Sequence, residues 1–297
     1  MRATDYELLF DLPVGEYNGA GVDGVRTKTY RAGRSLEVMV YPRTKLTQEA
    51  RREAARRRSR PSMARINARN RELQHMRILE ANFTARAQVV MLSYAYPVED
   101  YGMCDLKELS EYYDANGLPW EVETVQRHKR NFLAKLKRRV IAAGGNADDL
   151  KWDITIEEGK EPAGVGLPAK FHMHCVIEGP GISRETVEAC WTFGRTHCDP
   201  FDMANDGPKR LAAYLNKQRH PGRWWSHSRN LAIPRPNVSD RKVSRRRLSL
   251  LAADVKKNGA EIFAKLYPGY KLVEEPVVTF SDIVTGAYVY ARMRRRD

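Results

Sequence analysis

Apolar residues recur along this chain in patterns that predict both strands and helices. The segment Val25 to Lys45 alternates apolar and polar residues and is rich in Val, Thr and Tyr, which predicts a hairpin or two short strands. The apolar run QVVMLSYAY, Gln88 to Tyr96, has the length of a buried central strand. WDITIEEG and FHMHCVIEG predict two more strands, and a loop rich in Gly and Pro joins them. We therefore expect these two strands to pair as a hairpin.

Helical periodicity predicts the elements between and beyond these strands. LTQEARREAARRRSR is a basic helical run that Pro61 interrupts, and SMARINARNRELQHMRILEANF resumes the helical period. EVETVQRHKRNFLAKLKRRVIAAGG predicts an amphipathic helix that Gly144 and Gly145 end. SRETVEACW and DGPKRLAAYLNKQ predict two short helices. A final helix is expected around 248–266, followed by the turn YPGY and the strand-like VVTF.

The order of these elements predicts an α+β fold in three segments. A hairpin of adjacent strands implies a central antiparallel sheet with helices packed on it. We expect residues 1–85 to hold a strand pair and basic helices, and residues 86–220 to form the core. Residues 221–297, which look loop-rich and basic and close with the tail RMRRR, would be a C-terminal extension that packs on or near that core.

The charge balance favours a polyanionic partner. The chain has 51 Lys and Arg against 37 Asp and Glu, a formal net charge of +14, and such an excess attracts nucleic acid. Six of the ten positions from Arg51 to Arg60 are arginine. These arginines could contact a phosphate backbone or could simply form a solvated helix face. The expected contacts with a nucleic-acid backbone are Arg56, Arg57, Arg58, Arg241, Arg245, Arg246 and Arg247.

Several function classes lack support in the sequence. It has no G-x-x-x-x-G-K-[ST] phosphate loop, so we expect no P-loop ATPase. The four cysteines include no C-x-x-C pair, which argues against a zinc knuckle. The N-terminus has no signal-peptide pattern and no apolar run is long enough to span a membrane. We therefore expect a cytoplasmic protein with no membrane partner.

Two histidines share one face of a predicted strand. Side chains alternate along a strand, so His172 and His174 point one way and Phe171, Met173 and Cys175 point the other. The apolar set would pack against helices, which leaves two imidazoles together on the opposite face. Such a pair could hydrogen-bond in place, or it could hold a metal ion.

A carboxylate on the neighbouring strand favours the metal. In WDITIEEG the residues Asp153, Thr155 and Glu157 share one face, so in a hairpin Glu157 can lie beside the histidine pair. Glu158 would face the wrong side, and Asp153 is the alternative ligand. Two imidazoles and one carboxylate with open coordination positions suit a divalent cation that also holds substrate oxygens.

A tyrosine and a lysine share a face of the helix RLAAYLNKQ. Tyr214 and Lys217 are three residues apart. A phenol is a poor nucleophile at neutral pH, but a nearby cation and a polarised phosphate can compensate. Tyr214 could also be an ordinary packing residue, and Tyr112 and Tyr113 in SEYYDANG are left unassigned.

Together these motifs resemble the HUH endonucleases, which include the rolling-circle replication initiators. FHMHCVI is similar to their histidine–hydrophobe–histidine strand, YLNK to their nucleophile motif and VVMLSYAYP to their first motif. From about residue 25 to the end, the chain also resembles replication proteins of the filamentous-phage gene II type. The resemblance lies in the order and spacing of five segments: INARNRELQHMRILEANF, HKRNFLAKLKRRV, WTFGRTHCDPF, RWWSHSRNL and YPGYKLVE. The resemblance implies a palm-like sheet of about five antiparallel strands. The segment WTFGRTHCDPF lies between the strand with the two histidines and the helix with Tyr214, so we expect it to be the edge strand that connects them.

The resemblance also implies a function. The expected activity is site-specific nicking and joining of single-stranded DNA at a replication origin of a phage, prophage or plasmid, with Mg²⁺ or Mn²⁺. His172, His174 and Glu157 would hold the ion, and Tyr214 would attack to leave a 5′-phosphotyrosine and a 3′-hydroxyl that primes a host polymerase. Lys217 would stabilise the phosphate or the phenolate, and a host helicase would unwind the DNA. Alternatives are a relaxase or single-strand transposase with the same chemistry, or a non-catalytic nucleic-acid-binding protein, for which exposed aromatic residues on the sheet are expected.

Overall fold

The fold is α+β, with two antiparallel sheets and six α-helices in the described part of the chain. The computed structural model describes residues 22–44, 60–94, 111, 115, 117–159, 169–204, 206–216, 224–280 and 287–296. The chain divides into two compact units, Asn82–Ala232 and a discontinuous unit made of Met1–Ala81 and Ile233–Asp297. None of the helices in these ranges has both the length and the apolar character needed to cross a membrane.

The discontinuous unit is built on a six-stranded antiparallel sheet. Its strand order is β10-β11-β2-β1-β8, and β9 pairs with β11. The first hairpin turns at Gly33, whose φ of 53° is favourable for glycine. The elements of this unit are β1 (Val22–Ala32), β2 (Ser35–Thr44), α1 (Arg60–Asn82, except its last residue), β8 (Asn237–Ser239), α5 (Arg245–Ala253), α6 (Val255–Leu266), β9 (Tyr270–Leu272), β10 (Val277–Phe280) and β11 (Ala287–Arg295).

One face of this sheet is apolar because of strand alternation. Leu36, Val38 and Val40 of β2 are fully buried and belong to one hydrophobic cluster with Leu251 of α5 and Phe263 of α6. The two helices thus cover the apolar face. Such burial of aliphatic side chains is the main favourable term for docking a helix on a sheet.

Buried ion pairs connect the other face of this sheet to α1. Arg77 donates two hydrogen bonds to the carboxylate of Glu37, at 2.7 and 2.9 Å, and its guanidinium lies 3.6 Å from the ring centroid of Tyr30. Burial alone lowers the pKa of Arg77, but the Glu37 carboxylate outweighs that effect, and the pKa ends above its usual value. The second pair joins Arg292 to Glu80 at 2.7 Å.

The C-terminal RMRRR segment is a strand, and the expectation of a tail was wrong. Residues Ala287–Arg295 form β11, which pairs with β2 through Val289–Arg294. Arg292 is only 1% exposed. A basic segment can occupy this interior position because Glu80 neutralises the buried guanidinium.

The continuous unit is built on a five-stranded antiparallel sheet. Its strand order is β6-β3-β5-β4-β7, so the histidine-bearing strand is central and the segment from WTFGRTHCDPF forms an edge. Its elements are β3 (Gln88–Ser93), α2 (Val122–Ala142), a single 3₁₀ turn (Ala147–Asp149), β4 (Lys151–Glu158), β5 (Phe171–Glu178), α3 (Arg184–Cys190), β6 (Thr196–Pro200), α4 (Gly207–Asn216) and β7 (Trp224–His227).

Helices cover one face of the five-stranded sheet. Ile154, Ile156, Met173 and Cys175 project to this face and cluster with residues of α2 and α3, including Phe132, Leu136, Val140 and Val187. The residues between them in sequence must project to the opposite face. This alternation is what places Glu157, His172 and His174 away from the core.

The three sequence segments do not match the two units. The C-terminal segment from Ile233 belongs to one unit with the N-terminal strand pair, whereas the predicted boundaries made it a separate segment. Trp224–His227, placed beyond the core by the predicted boundary at 220, is an edge strand of the five-stranded sheet. Both differences arise from strand pairing between segments far apart in sequence, which local patterns do not record.

We expect the Glu37–Arg77 pair to be a major determinant of stability. Arg77→Met leaves the Glu37 carboxylate buried without its cation, and should lower the free energy of unfolding by about 3–5 kcal/mol. Urea denaturation followed by circular dichroism measures this loss. The matched control is Arg184→Met, which removes an exposed ion pair with Glu188. An equal effect of the two substitutions would contradict the role given to the buried pair.

Candidate metal and nucleophile site

Strand pairing puts one carboxylate directly opposite the histidine pair. In the β4–β5 ladder, Glu157 is the partner of His172 and Thr155 is the partner of His174. Directly paired residues of an antiparallel ladder project to the same face. The hairpin expected from the sequence is therefore present, and its register brings Glu157 to the two imidazoles.

Three potential ligand atoms converge on one point. The Nε2 atoms of His172 and His174 are 3.1 Å apart, and the Glu157 Oε2 atom lies 3.7 Å from the first and 3.5 Å from the second. Adjacent ligands of an octahedral ion with bonds near 2.1 Å stand about 3 Å apart. The histidine pair has this separation, and a shift of about 0.5 Å would bring Glu157 to it. Among the described residues, Glu157, His172 and His174 form a group whose potential ligand atoms lie close enough together to hold one metal ion.

Burial keeps one of the imidazoles in the form that binds metals. The pKa of His172 is below its usual value because burial disfavours the charged ring, an effect larger than the opposing attraction of Glu157. A neutral imidazole offers a nitrogen lone pair, whereas a protonated one does not. The surrounding protein thus favours ligation at neutral pH.

The alternative carboxylates occupy other positions. Asp153 projects to the same face as Glu157, but it is only 1% exposed and its Oδ2 accepts a hydrogen bond of 2.9 Å from the indole of Trp225. Glu158 is exposed and pairs with Phe171, on the helix-covered side. Of the three, Glu157 is the one placed to share a cation with the histidines.

Helix α4 places a tyrosine beside His174. The helix begins at Gly207, where a side chain would collide with the carbonyl of Asp202. It buries Ala212 and Leu215 and leaves Tyr214 57% exposed. The rings of Tyr214 and His174 meet edge to face, with centroids 5.3 Å apart. The structure thus brings the expected nucleophile next to the candidate metal ligands, 40 residues away in sequence.

The structure describes only some of the other predicted site residues. Lys217 and Arg56, Arg57 and Arg58 lie outside the described residues, as do Tyr112 and Tyr113. Arg241 is exposed in the loop that follows β8, and Arg245, Arg246 and Arg247 are exposed in the first turn of α5. These four arginines belong to the discontinuous unit, and the candidate metal ligands belong to the other.

The VVMLSYAYP motif also contributes a residue to the site. Ser93 ends β3 and pairs with His172 on the side opposite Glu157. The next residue, Tyr94, is buried, and its hydroxyl lies 3.0 Å from the Nδ1 atom of His128. The small polar residue therefore flanks the site, whereas the aromatic residue belongs to the packing behind the sheet.

Sequence reasoning missed the apolar residues of this face. Trp225 and Met91 are about two-fifths exposed and project to the same side as the histidines. The alternation in WWSH was the available signal, but the basic, loop-like surroundings of that segment concealed it.

Comparisons of the chain with protein-family models, curated proteins and solved structures find no match. Any function must therefore be inferred from the geometry of the site and from its motifs.

We expect Glu157 and the two histidines to bind Mn²⁺ together. Glu157→Ala should weaken Mn²⁺ affinity at least about tenfold, because loss of a direct ligand exceeds the effect of losing an outer-shell partner. Replacing both histidines by alanine should abolish binding while the fold is retained, since neither side chain belongs to the core. Electron paramagnetic resonance of free Mn²⁺ measures the affinity.

The matched control is the adjacent carboxylate. Glu158→Ala removes the same charge from the other side of the strand and should leave the affinity unchanged. Equal losses in the two glutamate variants would show that Glu157 is not a ligand, and Asp153→Ala would then be the next variant to measure.

Proposed function

We propose that this chain is a metal-dependent endonuclease and strand transferase that nicks and rejoins single-stranded DNA through a tyrosine. The observation that carries the proposal is the placement of Tyr214 against His174, within a site where Glu157 and both histidines converge. Phosphoryl transfer to tyrosine requires a metal ion beside an accessible phenol, and a metal-ligand set with an adjacent exposed phenol meets this requirement.

The chemistry divides between the bound ion and the side chains. A divalent cation, Mg²⁺ or Mn²⁺, when bound, polarises the scissile phosphate and offsets the charge that develops on it. Tyr214 loses its phenolic proton and its oxygen forms a bond to phosphorus, while the bond from phosphorus to the 3′-oxygen breaks. The leaving oxygen takes up a proton and becomes a 3′-hydroxyl. One phosphodiester replaces another, so the 5′-phosphotyrosine retains the energy needed for rejoining.

The wider architecture supports an HUH-type, palm-like assignment of the sheet. The strand with both histidines is central in five antiparallel strands, and α2 and α3 cover the side away from the site. In this proposal the enzyme initiates rolling-circle replication of a phage, prophage or plasmid, and the 3′-hydroxyl primes a host polymerase. Because the chain has no phosphate loop, a host helicase separates the strands.

A relaxase or a single-strand transposase would use the same residues, and the DNA substrate would distinguish them. A non-catalytic nucleic-acid-binding protein is the second candidate, because Trp225 and Met91 are exposed on the face that carries the histidines. Both candidates bind nucleic acid. Formation of a covalent protein–DNA product separates them.

The arginines of α5 support a polyanionic partner. Arg245, Arg246 and Arg247 occupy the first turn of the helix, which contains no acidic residue. Cations at this end oppose the helix dipole, so they do not serve helix stability. Their exposure suits contact with a phosphate backbone.

We expect Tyr214→Phe to form no covalent adduct while it retains affinity for DNA and for Mn²⁺. Only the attacking oxygen is removed, and the ring that packs against His174 remains. Mass spectrometry of the product trapped with single-stranded origin DNA and Mn²⁺ is the measurement, and Lys217→Ala should slow adduct formation without eliminating it. An adduct on Tyr112 or Tyr113, or one that persists in Tyr214→Phe, would contradict the assignment.

We also expect the α5 arginines to contribute to the salt dependence of binding. Replacing Arg245, Arg246 and Arg247 by Gln should weaken binding to unrelated single-stranded sequences. It should also flatten the slope of log K against log salt by about 2, since each lost phosphate contact removes about 0.7. Fluorescence anisotropy at several salt concentrations measures both quantities.

A matched control removes three charges from another helix. Lys137, Arg138 and Arg139 are exposed near the C-terminal end of α2, where cations complement the helix dipole. Their replacement by Gln should leave the slope unchanged. Equal flattening in both triple variants would mean that only net charge, and not the α5 arginines, determines the affinity. The same design applied to Arg56, Arg57 and Arg58 tests the other basic run.

A further inference from the structure

The edge strand β7 is held firmly against the core by alternate residues. Trp224 packs edge to face on Phe171, with ring centroids 5.5 Å apart. Ser226 accepts a hydrogen bond of 3.1 Å from the buried ammonium of Lys129. Both contacts lie on the helix-covered face, so alternation sends Trp225 and His227 to the face that carries the histidine pair.

The indole of Trp225 is oriented by a hydrogen bond at its polar edge. Its Nε1 atom donates to the Asp153 carboxylate at 2.9 Å, and Asp153 itself is buried. The His227 ring lies 5.4 Å away. Even so, 41% of Trp225 is exposed. An aromatic ring that is oriented before binding loses little conformational entropy when a flat ligand stacks on it.

Trp225 lies close to the candidate metal ligands along the sheet. It pairs with Thr155, and Thr155 pairs with His174, so two strand spacings, about 10 Å, separate the backbones of Trp225 and His174. On the far side of His174 its partner is Met91, which is 40% exposed. Apolar surface thus flanks the polar centre on both sides.

A nucleotide base is the ligand that this arrangement suits. Single-stranded DNA presents unstacked bases beside its phosphates, so a phosphate at the metal ligands leaves neighbouring bases free to contact the sheet. The basic chain, with a net charge of +14, attracts such a polyanion. Bases within a duplex are already stacked on one another and cannot lie on the indole.

We propose that Trp225, oriented by Asp153, is a stacking platform for an unpaired base of a single strand that lies across the face carrying Glu157, His172 and His174. The proposal rests on the proposed function, since it takes the single-stranded substrate from there. It adds a binding residue and a reason for preferring single-stranded over duplex DNA. Trp225 is a binding residue here, and Asp153 is a positioning residue that acts through it.

The test measures binding without cleavage. A fluorescein-labelled single strand of mixed sequence and the blunt duplex of the same sequence are titrated in EDTA. Trp225→Ala should weaken binding to the single strand by about 5- to 150-fold, the range found when a base–aromatic stack is removed. Affinity for the duplex should not change, and the salt dependence should stay the same because no phosphate contact is lost. Trp225→Phe should retain most of the affinity for the single strand.

The control is Ile141→Ala, another exposed apolar residue of the same unit, on the helix layer behind the sheet. It should bind both DNAs as the unmodified protein does, and thermal unfolding confirms that each variant is folded. Unchanged affinity of Trp225→Ala for the single strand, or an equal loss for both DNAs, overturns the proposal, as does an unmodified protein that binds no single strand.

Binding in EDTA separates this proposal from the enzymatic one. If Trp225→Ala loses affinity for the single strand but the unmodified protein forms no adduct with Mn²⁺, stacking stands and the nickase proposal fails. If adducts form and Trp225→Ala binds normally, the stacking proposal alone fails.

Discussion

The register of β4 against β5 determines whether a site exists in this protein. Glu157 lies opposite His172 in that ladder, and a slip of one residue would turn every side chain of β4 to the other face. The core enforces the register, because Ile154 and Ile156 are almost wholly buried under the helices. The same alternation that builds the core therefore brings a carboxylate to two imidazoles, and packing energy maintains the geometry of the site.

Both edges of this sheet are also fixed, which keeps the flanks of the site in place. At one edge, the Lys129 ammonium donates a hydrogen bond to Ser226 of β7. Burial lowers the pKa of Lys129, and the nearby charge of Arg130 lowers it further. At the other edge, Cys198 of β6 is buried in the shared core, and burial raises its pKa to about 11, so the thiol stays protonated and unreactive at neutral pH. Elements anchored in this way suit a site that must hold side chains within fractions of an ångström.

The polar residues on the second face of each sheet have different surroundings. In the six-stranded sheet, buried Glu37 and Glu80 are neutralised by Arg77 and Arg292, which connects α1 to the strands. In the five-stranded sheet, Asp153 and Thr155 of the second face are buried, but Glu157 and His172 are only partly buried, and Tyr214 and Trp225 beside them are exposed. Polar residues on a sheet therefore indicate a structural network in one unit and a candidate binding surface in the other. What distinguishes the two is access to solvent.

Sequence alone determined the two-residue alternation at His172 and His174, the shared face of Glu157, and the α+β class, because these depend on local periodicity and on short connections. It also identified WTFGRTHCDPF as an edge strand. It did not reveal the second sheet, because β11 with its buried Arg292 pairs with β2 some 250 residues away in sequence. Nor did it reveal Trp225, whose orientation depends on pairing with Thr155 and on the carboxylate of Asp153. The meeting of Tyr214 with His174 likewise required tertiary packing, since only the folded chain brings helix α4 to the central strand.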